Sequence, residues 1–262
     1  MTRIGRRFAD LKTWGEGALV AYVTGGDPDL ARSLDVARAV ADSGADILEL
    51  GVPFSDPVAD GPTIQAASQR ALAAGATAGG VIDLVAKLRT SSDVPVCFLT
   101  YGNVVHKYGY EWFARDSASA GVDGVLICDV PPPDGAAWIA AATSAGLDTV
   151  FMVAPTSTDD TLAEVGRLST GFVYCVSRAG ITGARHELPP GLPEFVARVR
   201  AASRVPVCVG FGISTPDQVR GVCAHADGAI VGSAIVGIVA SSRNAVAEVG
   251  RFCALLKEGT RP

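Results

Sequence analysis

The sequence predicts an α/β chain folded as one closed (β/α)8 barrel with an extra helix at its N-terminus. Three observations carry this reading. Eight short Val/Ile/Leu-rich runs punctuate the chain, stretches of helical period separate them, and 262 residues suit eight β/α units. The composition fits, with 48% hydrophobic and 19% charged residues, enough apolar material for a sizeable core and too little charge for disorder.

The strand-like runs are Ala18–Thr24, Ala45–Gly51, Val94–Tyr101, Gly124–Val130, Asp148–Pro155, Gly171–Ser177, Val205–Gly212 and Gly228–Ser233. Several are almost continuously apolar, as parallel strands buried on both faces should be, and Gly or Pro bounds most of them. Arg3–Trp14 reads as a helix that would plug the barrel bottom. Leu30–Ser43 reads as a helix with Leu34, Ala37, Val40 and Ala41 on one face, and Thr215-Pro216-Asp217 as a cap followed by Pro at the first helical position. An open doubly wound sheet is the rival. It fits less well, because no GxGxxG turn follows the first strand and the strands number eight. The expectation is a single TIM-type barrel domain over residues 1–262.

The net charge of −5 disfavours nucleic acid and anionic membrane as partners. The longest apolar candidate for a span, Ala229–Ala240, is short and interrupted by glycine, and Met1–Asp10 has no apolar core for a signal peptide. The six cysteines form no CxxC pair and read as reduced thiols of a cytoplasmic protein. The four lysines lie outside the strands, which disfavours Schiff-base chemistry, and the three histidines are dispersed, so no metal site is expected.

Two long connections follow strands two and six, Val52–Pro62 and Arg178–Leu192, on the face where barrel enzymes place their chemistry. Glu49 is a carboxylate near the end of the apolar second strand. It is either catalytic or a structural partner for a buried arginine. Asp56 and Asp60 follow in a loop stiffened by Pro53, Pro57 and Pro62, although Asp60-Gly61-Pro62 also reads as a plain turn. The glycines ending strands seven and eight, with a short helix starting near Ser233, form a candidate phosphate cup or a set of packing glycines.

The run Leu48-Glu49-Leu50-Gly51-Val52-Pro53-Phe54-Ser55-Asp56-Pro57-Val58-Ala59-Asp60-Gly61-Pro62-Thr63-Ile64-Gln65 closely resembles the signature of the tryptophan synthase alpha chain family. Tyr22–Pro28, Asp129-Val130-Pro131, Ser177–Gly183 and Gly210–Ser214 resemble later and earlier segments of the same family in the same order. The resemblance implies retro-aldol cleavage of indole-3-glycerol phosphate to indole and glyceraldehyde 3-phosphate. It puts Glu49 and Asp60 in the catalytic roles, with Tyr174 beside Glu49. It places Gly183, Phe211, Gly212, Gly232 and Ser233 at the substrate phosphate, and Thr182 in the lid. It sets Tyr22, Leu99 and Leu126 around the indole, where a plain core role for the two leucines stays open. It also implies a beta chain partner in an alpha2beta2 tetramer, with PLP in that partner and no cofactor here. A stand-alone lyase releasing free indole is the alternative, and a non-catalytic regulatory barrel a more distant one. Two departures stand out: Tyr22 replaces a common Phe, and Pro131-Pro132-Pro133-Asp134 replaces a segment that often carries glutamate.

Overall fold

A computed structural model describes residues 2–176, 190–210 and 212–261. Eight parallel strands close into a barrel in chain order. In sequence, the elements are α1 (Arg3–Trp14), β1 (Ala18–Thr24), α2 (Leu30–Asp42), β2 (Ile47–Gly51), α3 (Pro62–Ala73), α4 (Ala78–Leu88), β3 (Val96–Thr100), α5 (Gly102–Tyr108), α6 (Tyr110–Ala120), β4 (Gly124–Ile127), a 3-10 turn (Pro132–Asp134), α7 (Ala136–Ala145), β5 (Asp148–Val153), α8 (Asp159–Leu168), β6 (Val173–Val176), α9 (Leu192–Ala202), β7 (Val207–Gly210), α10 (Pro216–Cys223), β8 (Gly228–Val231), α11 (Ser233–Ser241) and α12 (Ala245–Glu258).

The expected barrel and the N-terminal helix are both present. Seven strands are shorter than their apolar runs, because hydrophobicity marks burial while the ladder ends where the chain peels into a loop. Tyr101 and Cys128, just past the ends of β3 and β4, lie in that margin. The buried face of α2 is Ser33, Val36, Ala37 and Val40; Leu34 and Ala41 sit at its edges, a rotation of the expected stripe. Local signals are used as expected at α10, where Thr215 and Gln218 form a reciprocal capping box with Pro216 in the first turn. The Ala229–Ala240 run divides between β8 and α11, and no single helix among the described residues is long and apolar enough to cross a membrane.

Alternation along each strand sorts the core into two layers. One set of side chains meets the helices. The other fills the barrel interior, including Val20, Ile47, Cys97, Leu126, Val150, Phe172, Cys208 and Ile230. Ile4, Phe8 and Leu11 of α1 join this inner cluster, with Phe8 and Phe172 ring centroids 6.1 Å apart, so α1 seals the lower end. The upper end is left for the strand-end residues and loops. The cysteines are all free thiols, four of them buried.

Candidate active site

Glu49 occupies an inward position on β2, in register with Tyr22 on β1 and Cys97 on β3. It is 1% exposed, and among the described residues neither carboxylate oxygen has a hydrogen-bond partner. Among the described residues no arginine pairs with it. Burial, followed by the nearby charge of Asp60, pushes its pKa up to about 8.

Asp60 reaches the same space from the loop after β2. The loop is tied down at several points. Val52 N–H donates to Leu99 O at 2.9 Å, Asp60 N–H to Pro57 O at 3.0 Å, and the Gln65 side-chain amide on α3 to Asp60 O at 2.9 Å. The Asp60 carboxyl accepts from the Tyr101 hydroxyl, which itself accepts from Ala59 N–H at 3.2 Å. Burial dominates and raises the pKa of Asp60 to about 6, the Tyr101 bond opposing it. Asp56, by contrast, is exposed. The Asp60-Gly61-Pro62 turn is real as well, since Gly61 caps α3 and Pro62 begins it.

Two tyrosines lie near Glu49. Tyr22 is 5% exposed, and a Cβ on Gly51 would collide with its hydroxyl. Tyr174 on β6 is close enough to feel the charges of Glu49 and Asp60, and its hydroxyl would lie 2.7 Å from a Cβ on Gly210. In both cases the glycine sits two residues beyond the register partner of the tyrosine, on the neighbouring strand. The missing side chain is what lets each phenol lean across the barrel mouth. Burial keeps both phenols protonated.

The apolar wall is formed by Leu99, 8% exposed, and Leu126, fully buried and in register with it. Ile64 of α3 joins the same cluster, and Cys128 and Met152 edge it. Tyr101, Cys128 and Met152 are the site residues that the sequence reading missed. The signal for them was present: 97, 99 and 101, then 126 and 128, then 150 and 152 continue the period of two on β3, β4 and β5 beyond the inward residues already identified. Gly232 and Ser233 stand at the start of α11, as expected, with no side-chain cap closing that end, and Gly212 follows β7 with φ 32°. Thr182, Gly183 and Phe211 lie outside the described residues.

Among the described residues no group of three or more His, Cys, Asp or Glu is gathered for a metal ion. A crevice of about 370 Å³ between α6 and α7, lined by Glu111, Arg115, Ala140 and Ser144 among others, belongs to the outer helical layer and shares no residue with the carboxylate site.

The chain matches the family described as Tryptophan synthase alpha chain over residues 8–260. It is 49% identical over 261 residues to the tryptophan synthase alpha chain of Geobacter sulfurreducens, covering 100% of this chain and 98% of that one. It is 46% identical to that of Roseiflexus castenholzii over 98% of this chain and 100% of the relative. Among solved structures, a chain of Mycobacterium tuberculosis tryptophan synthase superposes with a TM-score of 0.93 at 37% identity, covering 100% and 99% of the two chains. Tryptophan synthase subunit alpha from Legionella pneumophila superposes with a TM-score of 0.90 at 32% identity, covering 99% and 98%. By sequence along its whole length and by fold, the chain belongs to the tryptophan synthase alpha chain family.

Proposed function

We propose that Glu49 and Asp60 are the acid–base pair of this enzyme. The chain is a carbon–carbon lyase of tryptophan biosynthesis that cleaves indole-3-glycerol phosphate to indole and glyceraldehyde 3-phosphate. The observation that carries the assignment is a fully buried carboxylate without partners among the described residues, set beside a second one in the barrel mouth.

Their environments divide the labour. Between about pH 6 and pH 8 Asp60 is ionised and Glu49 protonated. Glu49 then gives a proton to indole C3. The indole N–H donates to Asp60, which steadies the positive charge arising on the ring. The carbon–carbon electron pair returns to the ring as indole leaves, and the adjacent glycerol hydroxyl gives its proton to Glu49 as the aldehyde forms. Protons and electrons balance, and Glu49 ends as it began. Tyr174 packs beside Glu49; Tyr22, Leu99 and Leu126 hold the flat aromatic ring. Gly183, Phe211, Gly212, Gly232 and Ser233 bind the phosphate, with the α11 N-terminus supplying a favourable dipole. Thr182 closes over Asp60 as part of the lid.

Residues 1–262 act as one domain in the cytoplasm. The partner is a beta chain in an alpha2beta2 assembly, which contributes PLP, and this chain needs no cofactor of its own. The exposed loop around Val58, 84% exposed, is a contact surface for that partner.

The test is indole release from indole-3-glycerol phosphate, with and without a tryptophan synthase beta chain. Glu49→Gln and Asp60→Asn should each lose about 10²-fold or more in kcat. The wild-type kcat/KM profile should be bell-shaped, with limbs near 6 and 8 belonging to the pair. Near-wild-type turnover by either variant would overturn the assignment.

A further inference from the structure

The reaction as written leaves one polar feature of the pocket unused. Tyr22 is in register with Glu49, and its ring lies between Gly232 and Gly51. One edge lies against Gly232 at the end of β8, where a Cβ would stand 3.4 Å from Tyr22 Cβ. Its hydroxyl lies over Gly51, from which the chain departs toward Asp60. Thr24, on the same inward face and 2% exposed, holds that hydroxyl at 3.3 Å, and either oxygen can be the donor. Among the described residues, the titratable groups facing Tyr22 are Asp60, Glu49, Cys128 and Tyr174. Asp60 is faced by Tyr101, Cys128 and Tyr174 as well. None of these groups is a cation.

Two neighbouring carboxylates largely removed from solvent cannot both ionise cheaply, and nearby donors decide which of them keeps the proton. Glu49 has no donor among the described residues. Asp60 has Tyr101. A Tyr22 hydroxyl that accepts from Thr24 turns its own proton outward, and a phenylalanine at this position has none to turn.

We propose that the Tyr22–Thr24 hydroxyl pair is a positioning element for the carboxylates: it presents a phenol dipole to Asp60, so that the negative charge rests on Asp60 and the proton on Glu49. The proposal rests on the assignment of Glu49 and Asp60 as the acid–base pair. It gives a specific role to the Tyr22 hydroxyl, which the reaction as written leaves idle.

The test is the pH profile of indole release by the full chain, alone and with a beta chain. Tyr22→Phe should move the acid limb upward by about 0.5 pH unit, a loss of about threefold in kcat/KM below the limb that shrinks above pH 7. Thr24→Val should move the limb in the same direction, and Thr24→Ser, which keeps the hydroxyl, should return it toward wild type. A loss in Tyr22→Phe that is uniform across pH, or a limb that does not move while Asp60→Asn is inactive, would overturn the proposal and leave the acid–base assignment standing. If Asp60→Asn keeps both turnover and limb, the assignment fails and the proposal falls with it.

Discussion

A carboxylate buried without hydrogen bonds destabilises the fold whenever it is charged. For Glu49 the sign follows from linkage. Its pKa rises on folding from 4.5 to about 8, so across that window the native chain holds a proton that the unfolded chain has released. Stability due to this group therefore falls as pH rises from about 4.5 to about 8. Gln has the same shape and no charge. Glu49→Gln should raise Tm by about 2–6 °C at pH 8.5 and by less at pH 5.5, while catalysis is lost. Thermal unfolding of the two proteins at both pH values reads this directly; an equal shift at both would show that charge burial is not the cause. At this scale the sequence was informative where chemistry clashed with pattern. A glutamate inside Ile47–Gly51 is an anomaly that needs no structure to notice. Tyr101 clashed with nothing, since a tyrosine ending an apolar run is ordinary, and its bond to Asp60 exists only once the loop folds back over β3.

The loop between β2 and α3 shows how a catalytic side chain outside the barrel strands is kept in place. Pro53 and Pro57 restrict it and Pro62 starts α3, Phe54 packs on Tyr101 with ring centroids 5.1 Å apart, and Gln65 reaches back from α3. The Gln65 amide donates to Asp60 O at 2.9 Å and to Pro57 O at 3.4 Å, so the helix that the loop leads into also holds its last residues. Gln65→Met keeps volume and helix propensity but removes both donors. The expected result is a loss of about tenfold in kcat/KM, the equivalent of about one such bond of roughly 1.4 kcal/mol, with little change in Tm. Steady-state kinetics beside a melting curve would check it; unchanged kcat/KM would mean that the prolines and Tyr101 suffice. The sequence signalled the loop through its length and prolines, and α3 through Gly61-Pro62. It could not signal the staple, because a glutamine in the first turn of a helix is just as much at home facing water.

The closed barrel has a repeat that only the whole molecule reveals. At the lower end, the residue before each of three even strands is aspartate. Asp46 accepts from Leu19 N–H at 2.7 Å, Asp123 from Val96 N–H at 2.8 Å and Asp227 from Val207 N–H at 2.8 Å. Each returns its own N–H to the same residue's carbonyl, so every one closes the start of the preceding odd strand. Before β6 the hydroxyl of Thr170 takes this part, accepting from Thr149 N–H at 2.9 Å. The eight-strand count was legible from alternation of apolar runs, but this four-fold unit was not, since it consists of side chains bonding to backbone across strands, between residues 20 to 27 apart in sequence. Chemistry and stability thus occupy opposite ends of one barrel. Asp123 tests that separation best. It is 5% exposed and also pairs with Arg89 at 2.9 Å and Arg3 at 3.0 Å, while Arg89 bonds the carbonyls of Gly121, Ser92 and Val94. Asp123→Ala removes the acceptor for Val96 N–H and strips a partly buried arginine of its counter-charge. The cost should be about 3 kcal/mol or more, a fall in Tm on the order of 10 °C. Asp93→Ala, which removes a 97% exposed partner of Arg3 at 3.8 Å, should shift Tm by less than about 1 °C. The folded Asp123→Ala protein, assayed at 20 °C, should keep kcat within about twofold of wild type, because nothing it touches reaches Glu49 or Asp60. A large drop in kcat without a drop in Tm would mean instead that the lower ring of the barrel is coupled to the carboxylates at its mouth.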